Sequence, residues 1–209
     1  GAPNSVTSRH SFSTTIPMEI NYDNINTDAL LHRIEVENGK LVLPEGTSYK
    51  VLALHNCDKI SLKTLEKIHE LSQKGIIILG EKPKELAGYV KSKEDTDRFN
   101  YLVDAIWNHK NTHTSFNWNT VFKTNNLNYD LIATSNNKQI PYIHRKTNDE
   151  DIYFISNQDS LAQNIHLKFS LKDKLPELWN PMTGEISKTA YFKENELGTE
   201  MDVSLNGQE

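Results

Sequence analysis

Tyr49-Lys50-Val51-Leu52-Ala53-Leu54, then Ser61-Leu62-Lys63-Thr64-Leu65-Glu66-Lys67-Ile68-His69-Glu70-Leu71, then Gly75-Ile76-Ile77-Ile78-Leu79-Gly80 follow one another between residues 49 and 80. The first run is short, apolar and bounded by polar residues, the pattern of a buried strand. In the second, Leu62, Leu65, Ile68, His69 and Leu71 recur near helical spacing behind Ser61, whose hydroxyl can cap the first turn. Gly75 stops the helix, and Ile76 to Leu79 reads as an uninterrupted apolar strand closed by Gly80. Parallel strands need a long crossover between them, which a helix supplies, so this order predicts a right-handed βαβ unit.

Working outward, Thr27 to Arg33 predicts a short helix behind an Asn26 or Thr27 cap. Asn38-Gly39 lies between Ile34-Glu35-Val36 and Leu41-Val42-Leu43, a hairpin signal, because both turn residues tolerate positive φ. A second helix from about Lys93 to Asn108 presents Phe99, Leu102, Val103, Ile106 and Trp107 to one side. Residues 1 to about 20 are rich in Ser, Thr and Pro without periodicity and read as an extended lead-in. Beyond 110 the texture changes. Asn, Thr and His crowd 108 to 128 as a polar connector, and short strand runs follow: Leu131 to Ala133, Ile140 to His144, Ile152 to Ser156, Ile165 to Leu171, Glu177 to Trp179 and Met201 to Leu205. The expected architecture is therefore α/β followed by β. A flavodoxin-like or class I amidotransferase-like parallel-sheet domain spans 1–125, and a partial antiparallel β-sandwich spans 126–209, its closing strand expected beyond Glu209.

Composition narrows the function classes. With 209 residues, 36% hydrophobic and 24% charged, the chain has what a globular core requires and lacks the bias of a disordered one. Its 23 Lys and Arg against 28 Asp and Glu give a net charge of -5, so no basic field favours nucleic acid. No apolar run approaches the length of a membrane span. A single Cys57 excludes an intrachain disulfide and a multi-cysteine metal cluster. No glycine-rich phosphate loop is present, since Gly80 and Gly88 are isolated, and no cofactor is expected. No starting Met and no basic-then-apolar leader occur, which is expected of an internal piece or of a chain whose signal was removed.

Four places invite a chemical reading. Cys57 follows a strand as a nucleophilic thiol would, yet His55-Asn56-Cys57-Asp58-Lys59 lacks the small residues of a strained elbow, which favours an inert thiol. His109 and His113 are four apart, but in a polar loop, and no metal site is expected of them. Asp149-Glu150-Asp151 falls between two strand runs and reads as a solvated hairpin turn. Trp179, in Glu177-Leu178-Trp179-Asn180-Pro181, is of the type that stacks on sugars, although a lone Trp on a strand is more often core.

Several stretches, taken together, resemble one family. Tyr22-Asp23-Asn24-Ile25-Asn26-Thr27-Asp28-Ala29-Leu30-Leu31 and Gly39-Lys40-Leu41-Val42-Leu43-Pro44-Glu45-Gly46-Thr47-Ser48-Tyr49-Lys50-Val51-Leu52 are similar to the segment after the catalytic barrel in glycoside hydrolase family 106, the α-L-rhamnosidases. Ile143-His144-Arg145, Asp151-Ile152-Tyr153-Phe154-Ile155-Ser156-Asn157 and Glu177-Leu178-Trp179-Asn180-Pro181-Met182-Thr183-Gly184-Glu185-Ile186 are similar to that family's next β-rich segment. The resemblance covers roughly residues 20 to 190. It implies a non-catalytic accessory region of a periplasmic or secreted bacterial enzyme, with the upstream catalytic barrel of the same polypeptide as partner and a rhamnose-containing polysaccharide as the parent's ligand. No catalytic residue is carried over. His144 and Arg145 are carried as substrate-binding, with a hydrogen-bonding role at a sheet corner as the alternative. Two other functions stay open: a stand-alone carbohydrate-binding module built on Trp107, Trp118 and Trp179, and a small amidotransferase-like hydrolase using Cys57.

Overall fold

The computed structural model describes residues 16–17, 19–88, 92–136, 138–189 and 191–209. Most of the expected lead-in lies outside them. The chain divides into two compact units, one holding Asp23–Val121 and the other Phe122–Glu209, with the described residues before Asp23 in the second.

In the first unit, α1 (Thr27–His32) begins where Asn26 Oδ1 accepts the Ala29 N–H at 2.8 Å, relieving one of the unpaired donors of the first turn. β1 (Glu35–Glu37), β2 (Lys40–Val42) and β3 (Ser48–Tyr49) form an antiparallel sheet in that order. The turn residues Asn38 and Gly39 both have positive φ, 49° and 71°, as the two-residue hairpin requires. The apolar run expected as one strand over Tyr49–Leu54 is two: β3 pairs with β2, while β4 (Val51–Leu54) pairs in parallel with a different strand. Hydropathy carries no record of a change of partner within one apolar run.

After β5 (Lys59–Ile60), α2 (Leu62–Gln73) is capped by Ser61, whose Oγ accepts the Thr64 N–H at 3.2 Å. It buries Leu65, Ile68 and Leu71 completely. β6 (Ile77–Gly80) runs parallel to β4, so the βαβ order is present, and β7 (Glu85–Leu86) runs parallel to β5. α3 (Lys93–Trp107) opens on a reciprocal cap, Ser92 Oγ accepting from Asp95 N–H and Asp95 Oδ2 from Ser92 N–H. Its buried face is Phe99, Leu102, Val103, Ile106 and Trp107. β8 (Thr112–His113) then pairs in parallel with β6, giving the sheet order β4-β6-β8. α4 (Trp118–Thr124) follows across the division after Val121, with Trp118 and Val121 buried. The segment 108–128, expected as a polar connector, thus holds a strand and a helix. Two residues suffice for β8 because its place is made by backbone bonds, such as Ile78 N–H to Asn111 O at 3.0 Å, which polarity does not reveal.

In the second unit, β9 (Leu131–Ser135), β10 (Lys138–Gln139), β11 (Tyr142–Lys146), β12 (Asp151–Ile155), β13 (Gln163–Phe169), β14 (Glu177–Trp179), β15 (Ile186–Lys188), β16 (Phe192–Asn195) and β17 (Gly198–Leu205) are all antiparallel to their partners. Five make one sheet, ordered β10-β9-β13-β17-β16, while β11–β12 and β14–β15 are two-stranded. Period-two alternation sends Leu131, Ala133, Ile165, Leu167, Met201 and Val203 to one face. The inner side of β11–β12, with Tyr142, Tyr153 and Ile155, joins the same core. Mixed parallel and antiparallel pairing in the first unit and antiparallel pairing in the second agree with the expected α/β-then-β order.

Candidate functional site

The C-terminal ends of parallel strands are where α/β sheets commonly place their sites, and Cys57 lies just past β4. The thiol is half-buried, and its packing against the first core, with Asp58 adding to the effect, pushes its pKa above the ordinary cysteine value. A nucleophilic thiol needs the opposite shift. His55 makes an edge contact with Phe116, ring centroids 5.5 Å apart. Among the described residues β4, β6 and β8 lie in sequence order, without the reversal of strand order that marks a site in open α/β sheets. His113 is on β8, and His109 Nδ1 accepts the Asn111 N–H. Among the described residues no group of three or more His, Cys, Asp or Glu is placed to hold a metal ion.

A denser polar arrangement sits on the inner side of β11–β12. His144 pairs across the hairpin with Tyr153, and the two rings stack, centroids 4.2 Å apart and planes within 7°. His144 Nδ1 lies 2.6 Å from Asp130 Oδ2, and Nε2 lies 2.9 Å from Asp151 Oδ1. The Tyr153 hydroxyl donates to the other Asp130 oxygen at 3.0 Å, and Lys174 Nζ reaches Asp151 Oδ2 at 2.5 Å. Burial of Asp151, whose side chain is 2% exposed, opposes its ionisation. Hydrogen bonds from Lys174 and His144 and the charges of Lys146 and Lys174 outweigh that and hold its pKa below the usual carboxylate value. Burial and the Asp130 charge push Tyr142 up to about 12, and the same two causes raise Tyr153. Both nitrogens of His144 are therefore engaged within the protein. Arg145, one residue on, points to the other side of the hairpin and spends one donor on the His144 carbonyl at 3.2 Å.

That outer side is apolar. Ile143 pairs with Phe154 and Arg145 with Ile152, and Ile143, Ile152 and Phe154 are 48%, 52% and 54% exposed. A second exposed face lies on β14–β15. Trp179, expected in the core, is 66% exposed, whereas Trp107 and Trp118 are buried.

The family model described as alpha-L-rhamnosidase, glycoside hydrolase family 106, matches residues 2–193. The chain belongs to the family 106 α-L-rhamnosidases. It is 35% identical over 182 residues to a Formosa agariphila protein described as a putative beta-glucuronidase, across 85% of this chain and 15% of that protein. It also superposes with a TM-score of 0.87, at 25% identity, on the rhamnosidase from Novosphingobium sp. PP1Y, over 94% of this chain and 20% of that one. The chain thus spans about a fifth or less of the length of these relatives. The activities in the two names differ, and each describes a whole protein.

Within this rhamnosidase-family chain, the family resemblance singled out His144 and Arg145 but not their partners. Asp151 was expected in a solvated turn; it is buried on β12 and pinned by His144 and Lys174. Asp130 and Lys174 carry no local signal, since they meet His144 and Asp151 only through tertiary folding. Trp179 did carry a signal, its sugar-stacking type, against a general tendency of tryptophan toward cores.

Proposed function

We propose that this chain is a non-catalytic accessory region of a larger family 106 glycoside hydrolase, packing against the upstream catalytic barrel of the same polypeptide and helping to shape its substrate cleft. The observation that carries the reading is the outer face of β11–β12. Ile143, Ile152 and Phe154 lie exposed side by side with Arg145. Aromatic residues and Arg are the types enriched at protein interfaces, and exposed apolar faces of this kind mark them. Arg145 suits a carboxylate of the barrel near the cleft, which brings the substrate-binding expectation for this residue into the same reading. The small share of each relative that the chain spans supports a larger parent. In this reading the first unit is a flavodoxin-like or amidotransferase-like domain without ancestral chemistry, consistent with the raised Cys57 pKa, and the second is part of a β-sandwich. The parent is periplasmic or secreted and acts on a rhamnose-containing polysaccharide.

The test is the surrounding reading frame followed by assay of both proteins on an aryl α-L-rhamnoside. A barrel-sized upstream stretch, turnover by the whole and none by this chain are expected; turnover by this chain alone, or a frame with no barrel, overturns the reading.

A further inference from the structure

We propose that the face of β14–β15 bearing Trp179 is a subsite for a 6-deoxyhexopyranose, of the rhamnose type, within a glycan chain. The register places Glu177 opposite Lys188 and Trp179 opposite Ile186, so these four side chains share one face, and Leu178 and Ser187 share the other. The indole is exposed but oriented: its Nε1–H donates to Glu177 Oε2 at 3.3 Å. The hairpin tip beside it is pinned, with Asn180 Oδ1 accepting the N–H groups of Met182 and Thr183 at 2.9 and 3.1 Å, and Asn180 N–H donating to Glu185 O at 2.9 Å. A fixed aromatic plane loses little conformational freedom when a ring is laid on it.

The chemistry of the face distinguishes it from β11–β12. There, three large apolar side chains stand with a single Arg, as at a protein interface. Here Trp179 and Ile186 stand beside the Glu177–Lys188 pair, a carboxylate and an ammonium, residue types depleted from the cores of protein interfaces. An aromatic plane flanked by a hydrogen-bond acceptor and a hydrogen-bond donor matches a pyranose, which offers an apolar C–H face and hydroxyls at its rim. Ile186, 53% exposed and next to Trp179, supplies apolar surface where a 6-deoxy sugar carries a methyl group and its 6-hydroxy counterpart carries an alcohol. The sugar class rests on the reading of the parent as a rhamnoside-processing enzyme; the stacking surface does not.

Because Trp107 and Trp118 are buried, emission changes caused by added glycoside report chiefly on Trp179. The chain is titrated with methyl α-L-rhamnopyranoside and with methyl α-L-mannopyranoside of the same hand, which differs by the C6 hydroxyl, and is run in affinity gels containing a rhamnose-bearing polysaccharide. Saturable emission change and gel retardation are expected. Trp179→Ala should weaken retention about tenfold, Trp179→Tyr should restore most of it, and the C6 hydroxyl should weaken binding severalfold. No saturable response and no retardation, or retardation unchanged in Trp179→Ala, overturns the proposal. So does protection of Trp179 from oxidation in the whole parent without ligand, which would assign the face to protein packing. None of these outcomes touches the accessory reading, which the reading frame and the activity assay decide.

Discussion

At the scale of single residues, the second unit depends on one imidazole held between two carboxylates. His144 Nδ1 and Nε2 face Asp130 and Asp151. His144→Phe keeps an aromatic ring to stack on Tyr153 but removes both ring nitrogens, leaving the buried Asp151 carboxylate with Lys174 as its remaining side-chain partner. The cost of such a loss is about 2 kcal/mol, and chemical denaturation should register it. Arg145→Ala, at an exposed position with one weak backbone bond, is expected to stay within about 0.5 kcal/mol of the parent chain. Equal effects from the two substitutions would mean that the His144 contacts contribute no net stability.

At the scale of elements, the long pairing of β13 with β17 organises the five-stranded sheet, from Gln163 opposite Leu205 to Phe169 opposite Thr199. β17 starts at Gly198, where φ is 143° and an added Cβ would lie 1.9 Å from the Phe169 carbonyl oxygen. No side chain escapes that backbone contact without moving β17 away from β13. Gly198→Ala should therefore destabilise the second unit by about 2 kcal/mol or more, and hydrogen exchange should show faster opening of β16 and β17. In the first unit the elements are tied locally instead, by Asn26, Ser61 and the Ser92–Asp95 pair at three helix starts. The Asn26 and Ser61 caps were readable from residue types alone, because a cap needs only near neighbours.

At the scale of the whole molecule, pH dependence follows from the buried titratable groups. Asp151 has a lowered pKa in the fold, so its contribution to stability is present above its unfolded value of about 4 and is lost as pH falls through the folded value. Tyr142 is shifted the other way. Its contribution is present below the unfolded value of about 10 and is lost between there and about 12, with Tyr153 acting in the same direction. Thermal unfolding followed across pH is expected to show a plateau from about 5 to about 9 that falls on both sides. Removing Tyr142 as Tyr142→Phe should blunt the alkaline fall. An alkaline limb unchanged in that variant would assign it to other groups.

Read alone, the sequence determined the features that depend on neighbours along the chain: the βαβ order from Tyr49 to Gly80, the Asn38-Gly39 hairpin, the caps at Asn26 and Ser61, the α/β-then-β succession and the family. Only the tertiary structure decided which partners the strands take. The run at Tyr49–Leu54 splits between two sheets, β8 forms in a polar stretch, and the runs at Ile140–His144 and Ile152–Ser156 pair with each other outside the five-stranded sheet. Burial followed the same division. Asp151 is buried because Lys174 and His144 come to it from other elements, and Trp179 stands exposed because its two-stranded hairpin leaves the face that bears it open. Hydropathy and propensity describe what one segment favours, whereas the pairing of strands and the covering of faces depend on residues distant in sequence.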